Sequence, residues 1–433
     1  MNRADASAET EDWTVESLVP GGDGFLHLAD GRAAFVARAF PGDVIRPTAV
    51  EARKGHVRAT RFELVRGSPH RVTPPCPVAE ACGGCEWMNL ERSEQVTQKA
   101  VLLHSALSRT GHVEDLPEIV VSSFGEDLGY RSRVRFHVDR DGRVGFFARG
   151  THDVVEIPAC AVGAPETNAA LASLRRVPKD VLAAFSEIEV RRAEGTPRVS
   201  VLLVARFPGG AGPAVRVVSK TLGEGALVSV AGEIGKDAPR QEFPLPVGPA
   251  LAARPGVFTQ VNWAVNVALV EAVVSGARAR GARRFLDAYA GAGNFSLPLL
   301  ASGMTGTSVE KDRNAVEDAV FAATRAGLPA GGFVVGDAAD VLAAFAKRKE
   351  ALDLVLLDPP RSGARDVLPS VKKLAPRWIA LVSCDPVTAS RDVGTLLSAG
   401  YRVESVRGFD MFPHTHHLET LAWLARAPAG PPP

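Results

Sequence analysis

The chain has 433 residues, of which 46% are hydrophobic, and its formal net charge is +1. A chain of this length is too long for one ordinary core, so roughly two or three domains are expected. The charge excludes a polycation that binds nucleic acid through overall charge. No apolar run reaches the about 18 residues that a membrane helix needs.

The first predicted element is a tail. Residues 1–12, MNRADASAETED, are acidic and lack an apolar core, so they are predicted to be disordered and not to act as a secretory signal. We therefore expect a cytoplasmic protein with no membrane contact. In a reducing compartment the five cysteines favour metal binding or catalysis over disulfides.

The next region is predicted to be a small all-β barrel. Residues 13–72 alternate short apolar stretches with Gly and Pro turns, as in GRAAFVA and PGDVIRPTAV. Between residues 51 and 75, six basic residues stand against two acidic ones. This local surplus suits either contact with RNA phosphates or an ordinary solvated face.

Four of the cysteines suggest a metal centre in the following region. Cys76, Cys82 and Cys85 form a C-x5-C-x2-C motif, and Cys160 lies far downstream. Four thiolates hold either a zinc ion or an iron–sulfur cluster, and the spacing leaves both open. A helix between about residues 86 and 115, ending at Gly111, is predicted to pack beside these cysteines.

A β-rich segment follows that helix. In YRSRVRFHV, the two-residue period of a strand places Arg131, Arg133 and Arg135 on one face and apolar residues on the other. The basic face is compatible with a salt-bridged edge strand or with RNA contact.

From about residue 262 onward, strands alternate with helices, which predicts βαβ units and a parallel sheet covered on both faces. The predicted strands are RRFLDAYA, TGTSVE, GFVVGD, LDLVLLD and RWIALVS, and YRVESVRGFDMFP and LETLAWLAR are expected to close the sheet. The overall class is therefore α/β, with β-rich regions before it.

Candidate ligand contacts follow the strands of this sheet. DAYAGAGNF is a glycine-rich turn between a strand and a helix, which suits a nucleotide-type cofactor or close packing. Glu310 and Asp337 end the next two strands, where carboxylates are suited to ribose hydroxyls and an adenine edge. Asp358 and Arg361 lie in a rigid Asp-Pro-Pro-Arg turn after the fourth strand.

Cys384, in LVSCDP, ends the fifth strand and is interpreted as a nucleophile, because it lies at the ligand edge of the sheet and near acids. Glu419, in HTHHLET, follows the loop into the last strand and is the candidate general base. His414, His416 and His417 are interpreted as loop or RNA-facing residues, since no paired metal ligands accompany them.

Together these motifs resemble the RNA uracil-C5 (5-methyluridine) methyltransferase family across residues 13–427, in particular the bacterial 23S ribosomal RNA enzymes. FPGDVI and SPHRVTPPC resemble its TRAM domain, an RNA-binding barrel of the oligonucleotide-binding type. The resemblance implies five regions: tail 1–12, TRAM barrel 13–72, central iron–sulfur and RNA-binding domain 73–260, Rossmann-like methyltransferase domain 261–427, and disordered tail 428–433.

The resemblance also implies site roles. Cys384 adds to uracil C6 so that C5 can attack the methyl group of S-adenosylmethionine, and Glu419 then removes the C5 proton. The residues implied to bind that cofactor are Gln260 in FTQVN, Tyr289, Asn294, Glu310, Asp337 and Asp358. The residues implied to hold a [4Fe-4S] cluster are Cys76, Cys82, Cys85 and Cys160. The sequence departs from the family in AYAGAG and at His416, where Gly or Pro is frequent.

The predicted partner is a structured RNA, with ribosomal RNA favoured over transfer RNA because the TRAM domain is present, and no obligate protein partner is expected. Cytosine-C5 enzymes generally use two active-site cysteines, whereas only Cys384 remains here after the four cluster ligands. Two further classes stay open, a non-catalytic RNA-binding factor and an enzyme that methylates an exocyclic amine. The cluster is hypothesised to order residues 76–160 for RNA contact.

Overall fold

The computed structural model describes residues 11–427 apart from 195, 197, 208 and 210. The predicted tails 1–12 and 428–433 lie outside these residues, except for residues 11 and 12. Within the described chain, no helix is both long and apolar enough to cross a membrane.

The N-terminal region is a six-stranded sheet with its own core. Its strands are β1 Trp13–Thr14, β2 Ser17–Leu18, β3 Gly24–His27, β4 Ala33–Val36, β5 Val44–Arg53 and β6 His56–Arg66. Their order is β1-β5-β6-β4-β3-β2, and apolar residues such as Trp13, Val36 and Ile45 are buried between them. The predicted β-rich domain is thus present. That it is a TRAM-type barrel stays a prediction.

Three residues of the basic stretch in this region are already paired: Arg53 with the nearby Glu51, and two arginines with carboxylates from elsewhere in the fold. Arg58 contacts Asp23 at 2.5 Å and Arg71 contacts the fully buried Asp43 at 2.7 Å. For these two arginines the pairing favours a structural role over contact with phosphate.

The central region is a second sheet. Residues 67–91 run through turns and lead into α1 Arg92–Arg109 and β7 Val120–Ser122. The sheet strands are β8 Arg133–Val138, β9 Val144–Phe147, β10 Val154–Glu156, β11 Phe185–Arg192, β12 Val199–Ala205 and β13 Ala226–Val230, in the order β10-β9-β8-β11-β12-β13. The helices beside it are α2 Pro165–Leu174, α3 Lys179–Leu182 and α4 Gly212–Leu222, followed by a 3-10 turn at Gly223–Gly225.

The arginine face of β8 is salt-bridged, although β8 is an inner strand and not an edge strand. Arg135 lies 3.1 Å from Glu189, and Arg133 lies 3.8 Å from the same carboxylate on β11. On the other face, Phe136 is fully buried as predicted. The pairing with β11 leaves Arg133 less available for RNA than the sequence alone suggested.

The C-terminal region is an eight-stranded sheet. A hairpin of β14 Gln241–Phe243 and β15 Leu251–Ala253 precedes it, followed by α5 Trp263–Ala279. The remaining strands are β16 Arg284–Ala288, β17 Thr305–Glu310, β18 Phe333–Val335, β19 Leu354–Leu357, β20 Trp378–Ser383, β21 Tyr401–Phe409 and β22 Glu419–Arg426. The helices between them are α6 Ser296–Ala301, α7 Arg313–Arg325, α8 Ala338–Arg348, α9 Leu368–Leu374 and α10 Pro386–Leu397.

The strand order of this sheet is β18-β17-β16-β19-β20-β22-β21-β7. Strands β16 to β20 are mutually parallel, and β22 runs antiparallel between β20 and β21. One hydrophobic cluster lies under α1, α8, α9 and α10, and another under α5 and α6, so both faces are covered. The alternating pattern therefore predicted this architecture correctly.

The edge of this sheet differs from the predicted division at residue 261. Strand β7 pairs in parallel with β21, and α1 packs on α10. Residues 92–122, expected in the central domain, thus complete the C-terminal sheet. The helix predicted to pack beside the cysteines buries Leu103 and Leu107 in the core of that sheet, and Leu102 in a smaller cluster with Trp87.

Candidate active site

The glycine-rich turn opens the ligand edge of the C-terminal sheet. It leaves β16 with Tyr289 at φ 71°, a left-handed conformation that is rare for an aromatic residue, and continues through Gly291 and Gly293 at φ 54° and 92°. A Cβ on Gly293 would lie 2.9 Å from Leu297, so only glycine fits there. The turn is therefore built by its sequence to bring the backbone close to a ligand.

A buried polar network supports this turn from below. Asp287 is fully buried at the end of β16 and accepts a 2.5 Å hydrogen bond from Ser296, which in turn accepts one from Ser308 at 2.7 Å. Burial raises the pKa of Asp287 to about 8. The sequence reasoning did not single out Asp287, since its position in the turn motif does not reveal that it points into the core.

Glu310 and Asp337 lie where predicted, at the ends of β17 and β18, and both also contact the backbone. Glu310 accepts hydrogen bonds from the N–H groups of Gly291 at 3.1 Å and Asp312 at 2.8 Å. Asp337 is exposed and caps α8 by accepting from Ala339 N at 2.8 Å. Each carboxylate thus holds its own loop and still faces the edge of the sheet.

Tyr289, Asn294 and Gln260 occupy different positions relative to this edge. Burial raises the pKa of Tyr289 to about 12, and the charges of Asp366 and Asp337 add to the effect. Asn294 forms a reciprocal amide pair with Asn266 of α5, at 2.9 and 3.0 Å. Gln260 is buried in the connection before α5, where its backbone oxygen accepts from Ser132 Oγ.

The predicted nucleophile and base are neighbours. Ser383 at the end of β20 pairs with Thr420 of β22, so the next residue in each direction brings Cys384 beside Glu419. Burial raises the pKa of Cys384 to about 11, with Glu419 raising it further and Arg361 lowering it. Arg361 lies in the predicted Asp-Pro-Pro-Arg turn after β19, and the structure brings this turn next to the cysteine.

Asp358 and Glu419 make this pocket acidic. Burial raises the pKa of Asp358 to about 7 and, with the help of the Asp358 charge, holds the pKa of Glu419 well above its ordinary value. Two carboxyls and a thiol thus face one another with Arg361 as their nearby cation. Such a site favours a ligand that brings positive charge.

Another contact places a histidine beside Arg361. Burial lowers the pKa of His417 to about 4, so its ring is neutral and its Nε2 accepts from Arg361 Nη2, 3.5 Å away. His417 belongs to the loop that joins β21 to the base. The sequence reasoning described this histidine only as a loop or RNA-facing residue.

The other four cysteines lie apart from this edge and share one cavity. Cys76, Cys82, Cys85 and Cys160 line an apolar space of about 80 Å³, together with Arg131. Among the described residues, no three His, Cys, Asp or Glu side chains converge closely enough to hold a single metal ion. The thiols therefore surround a volume instead of meeting at a point.

The parallel sheet, its glycine turn and the carboxylates at the ends of β17, β18 and β19 define an α/β methyltransferase fold, in which ligands bind at the carboxyl ends of the strands. A family model described as tRNA (Uracil-5-)-methyltransferase matches residues 339–427. The crystal structure of the Pyrococcus abyssi tRNA (uracil-54, C5)-methyltransferase with S-adenosyl-L-homocysteine has the same fold, with a TM-score of 0.73, 23% identity, and coverage of 96% of this chain and 100% of that one.

Two relatives extend the likeness over nearly the whole chain. The 23S rRNA (uracil(1939)-C(5))-methyltransferase RlmD of Chromohalobacter salexigens is 33% identical over 98% of this chain and 90% of its own length. The RlmD of Alkalilimnicola ehrlichii is 33% identical over 95% of this chain and 96% of its own. The chain therefore belongs to the RNA uracil-C5 methyltransferase family.

Proposed function

We propose that this protein methylates C5 of a uridine in 23S ribosomal RNA, with S-adenosylmethionine as the methyl donor. The single observation that carries the proposal is the placement of Cys384 beside Glu419 at the ligand edge, one residue beyond the Ser383–Thr420 pair of the β20–β22 register. The relatives named as 23S rRNA enzymes support the choice of RNA. A bacterial ribosomal RNA substrate also places the reaction in the cytoplasm.

The residues divide the chemistry between addition and elimination. The Cys384 thiolate adds to uracil C6, and the electron pair of the C5–C6 bond moves to make C5 nucleophilic. C5 then forms a bond to the methyl group as the methyl–sulfur bond breaks. Glu419 takes the C5 proton, the C5–C6 double bond returns, and the thiolate leaves.

The electrostatics of the pocket fit a sulfonium ligand. Burial and the neighbouring carboxylates raise the pKa of Cys384, which keeps the thiol neutral before the ligands arrive. A sulfonium cation bound near these carboxyls would add to the positive charge of Arg361 and would lower the pKa of the thiol. Arg361 acts in the same direction. The acid cluster thereby couples nucleophile activation to cofactor binding.

The proposed cofactor contacts follow from their places on this edge. Glu310 and Asp337 take the ribose and adenine, Tyr289 and Asn294 line the turn, and Asp358 lies beside the methyl group. Gln260 approaches from the connection before α5. In this proposal the hydrogen bonds from Gly291 to Glu310 and from Ala339 to Asp337 hold the two carboxylates in place.

We also propose a [4Fe-4S] cluster in the cysteine cavity, because the residues present fit one. Four thiols on the wall of a shared apolar space suit a cluster, in which each iron takes one thiolate, better than zinc, which draws its ligands to one point. When bound, the cluster would cross-link residues 76–85 to Cys160. Iron and sulfide analysis of anaerobically purified protein, with zinc measured alongside, tests the assignment.

The N-terminal sheet is proposed to be a TRAM-type module that binds RNA together with the central sheet. Several arginine side chains of β5, β6 and the turn between them form ion pairs within the fold. Among the described residues, the lysine and arginine residues of these elements without an ion pair are Lys54, Arg61 and Arg66. Replacing these three by Gln should weaken RNA binding and reduce its salt dependence.

The test of the whole proposal is deletion of the gene followed by quantification of 5-methyluridine in purified ribosomal and transfer RNA. Loss from ribosomal RNA supports both the reaction and the substrate. Loss from transfer RNA supports the reaction but contradicts the proposed substrate, and indicates the class of RNA named for the P. abyssi enzyme. Loss from neither contradicts the proposal and favours a non-catalytic RNA-binding factor or another acceptor.

A further inference from the structure

The loop that carries the proposed base is held mainly from outside its own sheet. Residues 410–418, here called the base loop, join β21 to β22 and end directly before Glu419. Trp87 N donates to the oxygen of His414 at 3.0 Å, and Tyr130 Oη donates to the oxygen of Pro413 at 3.2 Å. The segment that bears the cysteines thus supplies hydrogen bonds to the base loop.

Helix α1 adds further contacts to the same loop. Gln95 accepts from His414 N at 2.8 Å, and its amide lies 3.2 Å from the ring Nδ1. The buried Lys99 pairs with Asp410 at 2.6 Å and donates to the oxygen of Phe412 at 3.0 Å. These groups lie far from the loop in sequence, at a separation of 319 residues for Gln95 and His414.

One contact links the loop to the residue that follows a proposed cluster ligand. Glu86 follows Cys85, and its Oε1 accepts from His416 N at 2.9 Å and lies 2.5 Å from His416 Nδ1. His416 also abuts Gly22, where an added Cβ would lie 2.9 Å from Nδ1 and 3.0 Å from the His416 Cβ. His416 is therefore confined between the first sheet and the cysteine segment.

From His416 a short path leads to the nucleophile. The rings of His416 and His417 are 4.1 Å apart, His417 Nε2 lies 3.5 Å from Arg361, and Arg361 adjoins Cys384. Glu419 follows the same loop two residues after His417. A shift of His416 would therefore move both partners of the proposed reaction.

We infer that Glu86 is a positioning residue, which through His416 fixes the base loop and hence Glu419. The inference rests on the proposed function, since it takes Glu419 as the base. It assigns the cysteine segment a role in the chemistry of the sheet edge, in addition to the hypothesised role in RNA contact. Glu86 itself touches neither substrate nor cofactor and acts only through the base loop.

The experiment uses the full chain with its cluster and an ordinary uridine-containing ribosomal RNA fragment. Glu86→Ala should lower kcat roughly tenfold, the effect of losing one hydrogen bond to a charged group, while the KM for RNA changes little. A covalent enzyme–RNA adduct should accumulate, because addition of Cys384 continues while removal of the C5 proton slows. Glu86→Gln keeps an acceptor oxygen and should recover most of the rate.

The controls separate positioning from general damage. Glu80→Ala changes a carboxylate on the same segment that contacts Arg38 and Asn89 instead of the base loop, so it should leave kcat and adduct level unchanged. His416→Ala removes the imidazole that contacts Glu86 and leaves the sequence of the cysteine segment unchanged. If Glu86→Ala loses iron, His416→Ala is the variant that tests the positioning role. Adduct accumulation in His416→Ala supports the inference.

Two further results would contradict either the positioning role of Glu86 or the assignment of Glu419 as the base. An increase in KM with unchanged kcat in both variants, or parallel loss of adduct and product, contradicts positioning of the base. Glu419→Gln serves as the reference and should accumulate the adduct fully. Absence of the adduct in Glu419→Gln would refute the proposed base itself. If the adduct accumulates in Glu419→Gln but in neither Glu86→Ala nor His416→Ala, only the inference about Glu86 is refuted.

Discussion

The five cysteines occupy two environments that resemble each other in burial and differ in their neighbours. Burial raises the pKa of Cys384 to about 11 and that of Cys85 to about 12. Around Cys384 lie Glu419, Asp358 and Arg361, whereas Cys85 lines an apolar cavity with Arg131 and other thiols and has Glu86 beside it. Burial therefore does not distinguish the proposed nucleophile from the proposed cluster ligands. The difference lies in their neighbours, which include two carboxyls for Cys384 and other thiols for Cys85.

The two environments also depend on different parts of the chain. Cys384 takes its position from adjacent strands of one sheet, so the neighbours that matter are set by the β20–β22 pairing. The cysteine cavity collects residues from a turn-rich segment and from Cys160, and its wall includes Arg131 at the start of the central sheet. One site is built on a rigid scaffold and the other joins separate segments.

The largest expected effect separates the two environments by chemistry. Cys384→Ala should lower methylation by about 10⁴-fold or more, since no thiolate remains to activate the uracil ring. Iron content and the midpoint of thermal unfolding should stay close to those of the unchanged protein. Assays on purified protein with ribosomal RNA fragments check the first, and metal analysis and calorimetry the second. Loss of iron in Cys384→Ala would contradict the division.

The opposite substitution should act on structure first. Cys82→Ser should remove iron and lower the midpoint of thermal unfolding, because the cross-link between residues 76–85 and Cys160 is lost. Activity should fall with it, less completely than in Cys384→Ala. Iron analysis and thermal unfolding of the two variants side by side measure the contrast. An unchanged iron content in Cys82→Ser would contradict the assignment of Cys82 as a cluster ligand.

A smaller effect concerns the cation beside the nucleophile. Arg361 lowers the pKa of the Cys384 thiol, so Arg361→Gln should raise that pKa and reduce the thiolate fraction at neutral pH. A rise of one pKa unit costs about tenfold in kcat/KM. Because burial already raises this pKa, kcat/KM should increase with pH through the neutral range. In Arg361→Gln the same rise in kcat/KM should be displaced to higher pH.

The matched control for this measurement is Arg365→Gln, an exposed arginine four residues further along the same loop. Its pH profile should coincide with that of the unchanged protein. An unshifted profile in Arg361→Gln would show that the guanidinium does not stabilise the thiolate.

The last prediction concerns stability and the carboxyl that lies beneath the glycine turn. Burial raises the pKa of Asp287 to about 8, above its value in the unfolded chain. The folded state therefore binds more protons than the unfolded state between the two values, and stability falls as pH rises through that window. Asp287→Asn, which stays neutral, should lose this fall. Thermal unfolding at about pH 5 and about pH 8 measures it, with Asp312→Asn at the α7 N-cap as control.

Much of the C-terminal sheet was predictable because its signals are local. Buried strands such as Leu354–Leu357 read as short apolar runs, and the acids that follow them mark the ligand edge. Glu310, Asp358 and Cys384 could be placed at that edge from the parallel order alone. The proximity of Cys384 and Glu419 depends on the antiparallel pairing of β22 with β20, which the sequence pattern did not indicate.

The remainder depends on pairings between distant residues. Nothing near Glu86 in sequence indicates that it meets His416, 330 residues away. Likewise, β7 pairs with β21 while α1 packs on α10, and a three-residue strand carries little pattern of its own from which that pairing could be predicted. From the sequence alone, ion pairing of Arg133 and Arg135 with a neighbouring strand could not be distinguished from RNA contact, because both roles require the same basic face. The structure shows that the two arginines pair with Glu189.

The central claim is that Cys384 attacks a uridine ring in RNA, and the most direct measurement is covalent trapping. The purified protein is incubated with S-adenosylmethionine and a ribosomal RNA fragment that carries 5-fluorouridine, and the adduct is mapped by mass spectrometry. Fluorine cannot leave as a proton does, so a stable methylated adduct on Cys384 is predicted, and Cys384→Ala should give none. No adduct, or an adduct on another residue, would contradict the claim.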